Sequence, residues 1–99
     1  MQFVIIGEDR ADALTNRQAT RPDHLAYWKD KGAAFLAAGP FLNESDQPVG
    51  SLIIVEAQNL DEARLWAEAD PYMLAGVFDN LTVKRWNWLF GKPDIKGEI

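Results

Sequence analysis

The period of apolar and polar positions changes repeatedly along the chain, and each change marks an element. Phe3 to Ile6 is a short β-rich run, which predicts a first strand over residues 2–8. The stretch from Asp9 to Thr20 is polar; Thr15-Asn16 reads as loop, with room for one helical turn over Ala11 to Leu14. Pro22 suits a first helical turn, where its missing N–H costs nothing, and Asp23 places a favourable charge beside it. Leu25, Trp28, Phe35 and Leu36 then recur at helical spacing and predict an amphipathic helix over residues 22–37, weakened by Gly32. Gly39-Pro40 ends it before a short extended piece, Phe41-Leu42, and the polar segment Asn43 to Pro48 reads as a loop.

Ser51 to Val55 is apolar and β-branched, a strand with both faces covered. Asn59 and Glu62 have capping-box spacing for a second helix, whose apolar face is Ala63, Trp66 and Ala67. Asp70-Pro71 interrupts that helix and caps a new turn over Pro71 to Ala75, which Gly76 stops. Leu81 to Phe90 is the last strand, and residues 91–99 an irregular tail. The order β, α, β, β, α, β predicts an α+β ferredoxin-like sandwich: a four-stranded antiparallel sheet with both helices on one face.

Composition narrows the class. A chain of 99 residues makes one domain and not two, and about 60–65% of its unfolded surface can be buried. Apolar residues at 47% exclude a disordered chain. Zero cysteines remove disulfides, thiolate metal sites and cysteine nucleophiles, and fit a reducing compartment. The apolar run near the start is too short for a signal peptide or membrane span, so a cytoplasmic protein is expected. A formal charge of −5 repels phosphate backbones and argues against nucleic acid as a partner.

Candidate chemistry centres on His24, the only histidine. In the first turn of the predicted helix it would lie near a terminus that disfavours positive charge, which suits a neutral base. It is equally readable as an ordinary surface or half-buried histidine. Asp70 is a helix cap by its Asp-Pro context, and can also orient a histidine if its second oxygen faces a cleft. Tyr72 can donate a hydrogen bond to a substrate oxygen or simply pack. Arg17 and Arg21 precede His24 and suit an anionic substrate, or form ordinary surface salt bridges. Gly39, Pro40 and Gly76 either shape a cleft or only punctuate. Trp86, Trp88 and Phe90 make an aromatic stripe that reads as a homodimer surface, with a pocket wall as the rival. Zinc-type spacing, phosphate loops, nucleotide fingerprints and nucleophile elbows are absent, so neither metal nor cofactor is expected.

Arg21-Pro22-Asp23-His24-Leu25, Ala38-Gly39-Pro40, and Asp70-Pro71-Tyr72 through Ala75-Gly76-Val77 together resemble the YCII-related family of small bacterial proteins. The resemblance runs from the first strand to Val83-Lys84-Arg85-Trp86. It implies a ferredoxin-like fold, a dimer, and a site centred on a histidine and an aspartate, which by position are His24 and Asp70. Some relatives in aromatic degradation are linked to dehydrochlorination of a chlorinated hydroxyquinol, so elimination by proton abstraction lies within the family's range.

The expectation is a cofactor-free enzyme acting on a small, anionic or aromatic-derived molecule by elimination or isomerisation. His24 would serve as general acid-base and Asp70 as its orienter, with Arg17, Arg21, Tyr72, Gly39 and Pro40 binding substrate. Two rivals stand beside it. One is a non-catalytic module binding a small ligand or a protein. The other is a monooxygenase or isomerase of the dimeric α/β-barrel kind, which requires aromatics facing a pocket between sheet and helices.

Overall fold

The computed structural model describes residues 1–91. In chain order they form β1 (Gln2–Asp9), α1 (Leu14–Lys29), a 3-10 turn (Gly32–Ala34), β2 (Phe35–Leu42), β3 (Pro48–Glu56), α2 (Leu60–Glu68), α3 (Pro71–Leu74) and β4 (Phe78–Trp86). The strands pair antiparallel in the order β2-β3-β1-β4. That is the ferredoxin-like α+β arrangement the element order predicts, with β2 and β4 at the edges.

The side-chain period of two along a strand divides the sheet into unlike faces. Phe3 and Ile5 on β1 face Val55 and Ile53 on β3 in register. All four are buried beneath Trp28 of α1 and Ala63 and Ala67 of α2. Alanines on α2 let its backbone settle close to the sheet, while Trp28 fills the wider space beside it. The alternate positions Val4, Ile6, Leu52 and Ile54 lie on the opposite face, which none of the described helices covers; the first three are only half-buried, and Ile54 is 7% exposed. Gly7 continues the inner row and must be glycine for a steric reason: a Cβ there would overlap the Phe78 ring.

Local signals explain the second half well. Asn59 accepts the Glu62 backbone N–H at 2.8 Å, and the Glu62 carboxylate reaches back to the N–H of Gln58 at 2.9 Å. Asp70 caps α3 with Pro71 behind it. Gly76, at φ +78°, then turns the chain so that Val77 N–H closes on the Tyr72 carbonyl.

The first half departs from the periodicity. α1 begins at Leu14, not at Pro22, so Thr15-Asn16 belongs to its first turn rather than a loop. Its buried residues are Arg17, His24 and Trp28. A buried stripe with two polar members carries little apolar signal, which is why the early turns read as loop. Pro22 therefore sits in the helix interior, where it removes the N–H that would meet the Gln18 carbonyl, at a cost of about 3 kcal/mol. The packing of Arg17, His24 and Trp28 on both sides holds the helix across this break. α1 ends at Lys29, and Gly32 at φ +60° turns the chain out of helical geometry.

Phe35 and Leu36 consequently open β2 instead of closing a helix, and Phe41-Leu42 is only the end of that eight-residue strand. Pro40 lies within β2, where the edge position tolerates a residue that cannot donate to the ladder. β3 runs beyond residues 51–55 at both ends. β4 is shifted to Phe78–Trp86, and a register shift between Glu8 and Asp9 lets Asp9 pair with Phe78. Trp86 ends that strand, so Trp88 and Phe90 are not on it. The predicted tail lies, beyond Gly91, outside the described residues.

Candidate active site

Helix α1 presents Arg17, Arg21, His24 and Trp28 at spacings of four, three and four, which places them along one face. That face meets the start of α3, where Asp70 and Tyr72 stand. Between α1 and the sheet lies a pocket of about 200 Å³. Arg17, Arg21, His24 and Tyr72 line it, with Ala38, Gly39 and Pro40 of β2 and Ser51 of β3. Leu25 and Pro48 add apolar wall, and Gln18 stands at its side.

Asp70 is 1% exposed and His24 7%. The Asp70 Oδ1 lies 2.8 Å from His24 Nδ1 and also accepts the Tyr72 backbone N–H at 2.9 Å. Its Oδ2 accepts the Trp28 indole N–H at 2.9 Å. An ionised carboxylate only accepts, so the neutral imidazole carries its proton on Nδ1 and keeps a lone pair on Nε2. Among the described residues nothing in the protein bonds to Nε2, and His24 lines the pocket. The cap and the contact to histidine thus use one oxygen, while the other binds Trp28. That corrects the expectation of a second oxygen aimed into the cleft.

The orientation of His24 has a different origin from the one its sequence position suggests. It lies well inside α1, so the helix terminus exerts no local effect on it. Instead its ring stacks on Tyr72, with centroids 3.9 Å apart and planes at 15°. The guanidinium of Arg17 covers the other face of Tyr72, 4.5 Å from the ring centroid. A cation over a tyrosine face is favourable, and more so when both are shielded from water.

Arg17 is 5% exposed, and both of its terminal nitrogens are hydrogen-bonded. Nη1 donates to both Asp9 oxygens at 2.8 and 3.1 Å, and Nη2 donates to the Gly50 carbonyl and the Ser51 hydroxyl. Burial pushes the Asp9 carboxyl above its ordinary range, and the charge of Arg17 opposes that rise. The contact of one terminal nitrogen with both carboxylate oxygens is that of a close salt bridge. Arg17 therefore frames the pocket, whereas Arg21 is exposed on the pocket's lining with its guanidinium uncommitted among the described residues.

Tyr72 is a further hydrogen-bonding group of the pocket. Burial raises its phenol above the ordinary value, a rise that Arg17 and then Arg21 oppose. At neutral pH it is a protonated donor. Its hydroxyl bonds to no described protein group and is not sealed off, so it opens onto the pocket that the side chain lines.

Of the residues singled out from sequence, His24, Asp70, Tyr72, Arg17, Arg21, Gly39 and Pro40 converge here. Gly76 does not; it terminates α3. Trp86 pairs with Gln2 in the row opposite Phe3 and Ile5, hence on the uncovered face of the sheet. Its ring lies 5.3 Å from that of Trp88, and neither lines the pocket. Sequence reasoning missed Asp9, Ser51 and the polar role of Trp28. Ser51 had one legible signal, a lone hydroxyl in an apolar run; Trp28 had its four-residue spacing from His24. No cluster of three metal-ligating side chains occurs among the described residues. None of their helices is long and apolar enough to cross a membrane.

The chain belongs to the YCII-related domain family, which matches residues 1–87. Protein YciI of Escherichia coli is 39% identical over 99 residues, covering 91% of this chain and all of that protein. An uncharacterised Haemophilus influenzae protein is 36% identical over 98 residues, with the same coverage. Among solved structures, the 5-chloro-2-hydroxyhydroquinone dehydrochlorinase TftG of Burkholderia phenoliruptrix, in complex with 2,5-dihydroxybenzoquinone, superposes with a TM-score of 0.80. It shares 34% identity, over 88% of this chain and 94% of its own. An antibiotic biosynthesis monooxygenase superposes at 0.53 with 15% identity, over 90% of this chain and 99% of its own, a likeness of fold alone.

The buried phenols give a checkable consequence. The two tyrosines, Tyr27 and Tyr72, are both raised above 10.0, first by burial. In alkaline titration followed by phenolate absorbance, both should ionise later in the folded protein than in denaturant. The unfolded chain loses these protons first, so their contribution to stability is complete below pH 10.0 and is lost as pH rises from there through the folded values. Coincident titration curves in the folded and denatured protein would contradict the buried placement.

Proposed function

We propose that this chain is a cofactor-free enzyme that moves a proton on a small oxygenated ring, with His24 as general acid-base. The observation that carries the proposal is the pairing of a pocket-facing Nε2 lone pair with a buried carboxylate on the opposite ring nitrogen. Nε2 takes a proton from substrate carbon or hydroxyl, and the resulting imidazolium is balanced by Asp70. In elimination, the electron pair left by the proton forms a new double bond as the leaving group departs with its own pair. In isomerisation, the proton returns from Nε2 at a different atom.

The remaining groups find roles around that step. Tyr72 donates its hydroxyl proton to the substrate oxygen on which charge accumulates. Arg21 meets an anionic substituent at the mouth, and Arg17 holds Tyr72 and Ser51 in place. Gly39 and Pro40 form the wall of β2. The size suits one ring: a 150 Å³ apolar cavity holds benzene, and the pocket here is about 200 Å³. Similarity to a dehydrochlorinase seen with a dihydroxybenzoquinone favours elimination from a halogenated hydroxyquinol within this range.

The assembly proposed for this domain is a homodimer joined through the uncovered sheet face. Val4, Ile6, Leu52, Phe41 and Trp86 lie in its rows and present apolar surface to solvent in the single chain. Trp86 on that face, and the absence of any tryptophan in the pocket, favour the interface role of the aromatic stripe over a pocket wall.

Two measurements check these proposals. Chlorinated hydroxyquinols offered to the protein should release chloride, and His24→Ala or Asp70→Asn should cut the rate by about 10²–10⁴-fold. Binding with no turnover across the panel would instead support a ligand-binding module, and turnover indifferent to His24→Ala would remove the assignment. Light scattering should give the mass of two chains at micromolar concentration, reverting towards one in Trp86→Glu. A stable wild-type monomer would defeat the interface.

A further inference from the structure

Trp28 has a place in the core that any large aromatic could fill. It is 2% exposed, its ring stands edge-on to Tyr27 at 5.0 Å, and Phe35 lies 6.3 Å away. A filler needs no polar atom, yet the single N–H of this indole is aimed at Asp70 Oδ2. That oxygen has no other hydrogen-bond partner among the described residues, and no buried side-chain oxygen there lacks one. His24 and Trp28 are four residues apart on α1, so one helix face delivers both side-chain donors to the same carboxylate.

We infer that Trp28 is a positioning residue for the His24–Asp70 pair. Its indole N–H holds Oδ2, so that the carboxylate turns only Oδ1 to the imidazole. The inference rests on the proposed role of His24 and adds to it a determinant of the pH at which the pair works. The consequence is directional. With the indole donor gone, the same negative charge is shared among fewer hydrogen bonds and attracts the imidazole more strongly. The doubly protonated ring becomes easier to form, and the carboxylate is free to rotate. Other charged or titratable groups near the pair are Arg17, Arg21 and Tyr27 on α1 and Tyr72 on α3; the lining residues from β2 and β3 do not titrate. None of these touches Trp28 through a hydrogen bond, so its replacement leaves them in place.

The test is an NMR titration of the His24 ring in the full-length protein and in Trp28→Phe. The midpoint should move to higher pH by about half a unit to one unit, a fraction of the worth of one hydrogen bond to a charged group, since the carboxylate keeps its other donors. Loss of volume alone does not predict that direction. A benzothienylalanine at position 28 keeps the shape of tryptophan while replacing N–H by sulfur, and it should produce the same upward shift with the core filled. It also serves if Trp28→Phe fails to fold. A midpoint that stays put or falls with the isostere overturns the inference and returns Trp28 to core packing. The titration needs no substrate, so a missing turnover would sink the proposed reaction without touching this result. Conversely, an unmoved midpoint would leave the reaction standing.

Discussion

A single buried carboxylate ties the site together. Asp70 collects the ring N–H of His24, the indole N–H of Trp28 and the backbone N–H of Tyr72. An ionised group with 1% exposure survives only if its lone pairs are met, because stranding it costs several kcal/mol. The three donors therefore have to be where they are. Two come from α1 and the third from the first turn of α3, so the demand of one charge for partners docks these helices against each other. A structural need and a chemical opportunity coincide here: the fixed imidazole is left with one nitrogen facing outward.

The second organising element is the stack of Arg17, Tyr72 and His24. It runs from the sheet, where Arg17 is bound to Asp9, Gly50 and Ser51, up to the histidine ring. His24 is thus fixed in direction by Asp70 and in plane by Tyr72. Rigid support of this kind is what proton transfer requires of a base, since small misplacements of the reacting atoms are expensive. The exposed part of the pocket, by contrast, is built from Arg21, Leu25 and the β2 wall. Residues can change there without disturbing the pair beneath.

How much of this was legible in the sequence follows from what each element buries. The strand β1, the Asn59 cap, the Asp70-Pro71 cap and the Gly76 stop all carry local signals, and the order of elements led to the ferredoxin-like fold. α1 was misplaced because its buried stripe contains Arg17 and His24, whose burial depends on partners far along the chain. β2 was hidden for a related reason: Phe35 and Leu36 happen to continue a helical spacing with Leu25 and Trp28, and only the positive φ of Gly32 breaks it. The approach of His24 to Asp70, 46 residues apart, is tertiary and no spacing rule contains it; resemblance to the YCII-related family suggested it. Trp28 was placed on the apolar face of a helix, and its hydrogen bond depends on the same distant aspartate. Arg17 was read as a substrate contact because its saturation by Asp9 and Ser51 is likewise invisible along the chain.

In the proposed reaction Asp70 fixes the His24 tautomer and leaves Nε2 as the base. Nitrogen NMR of the imidazole ring tests it most directly, since the two ring nitrogens give distinct shifts when protonated and when bearing a lone pair. The neutral ring should carry a proton on Nδ1 and a lone pair on Nε2, a preference that weakens in Asp70→Asn. A neutral ring with its proton on Nε2, or a tautomer mixture indifferent to Asp70→Asn, would contradict it.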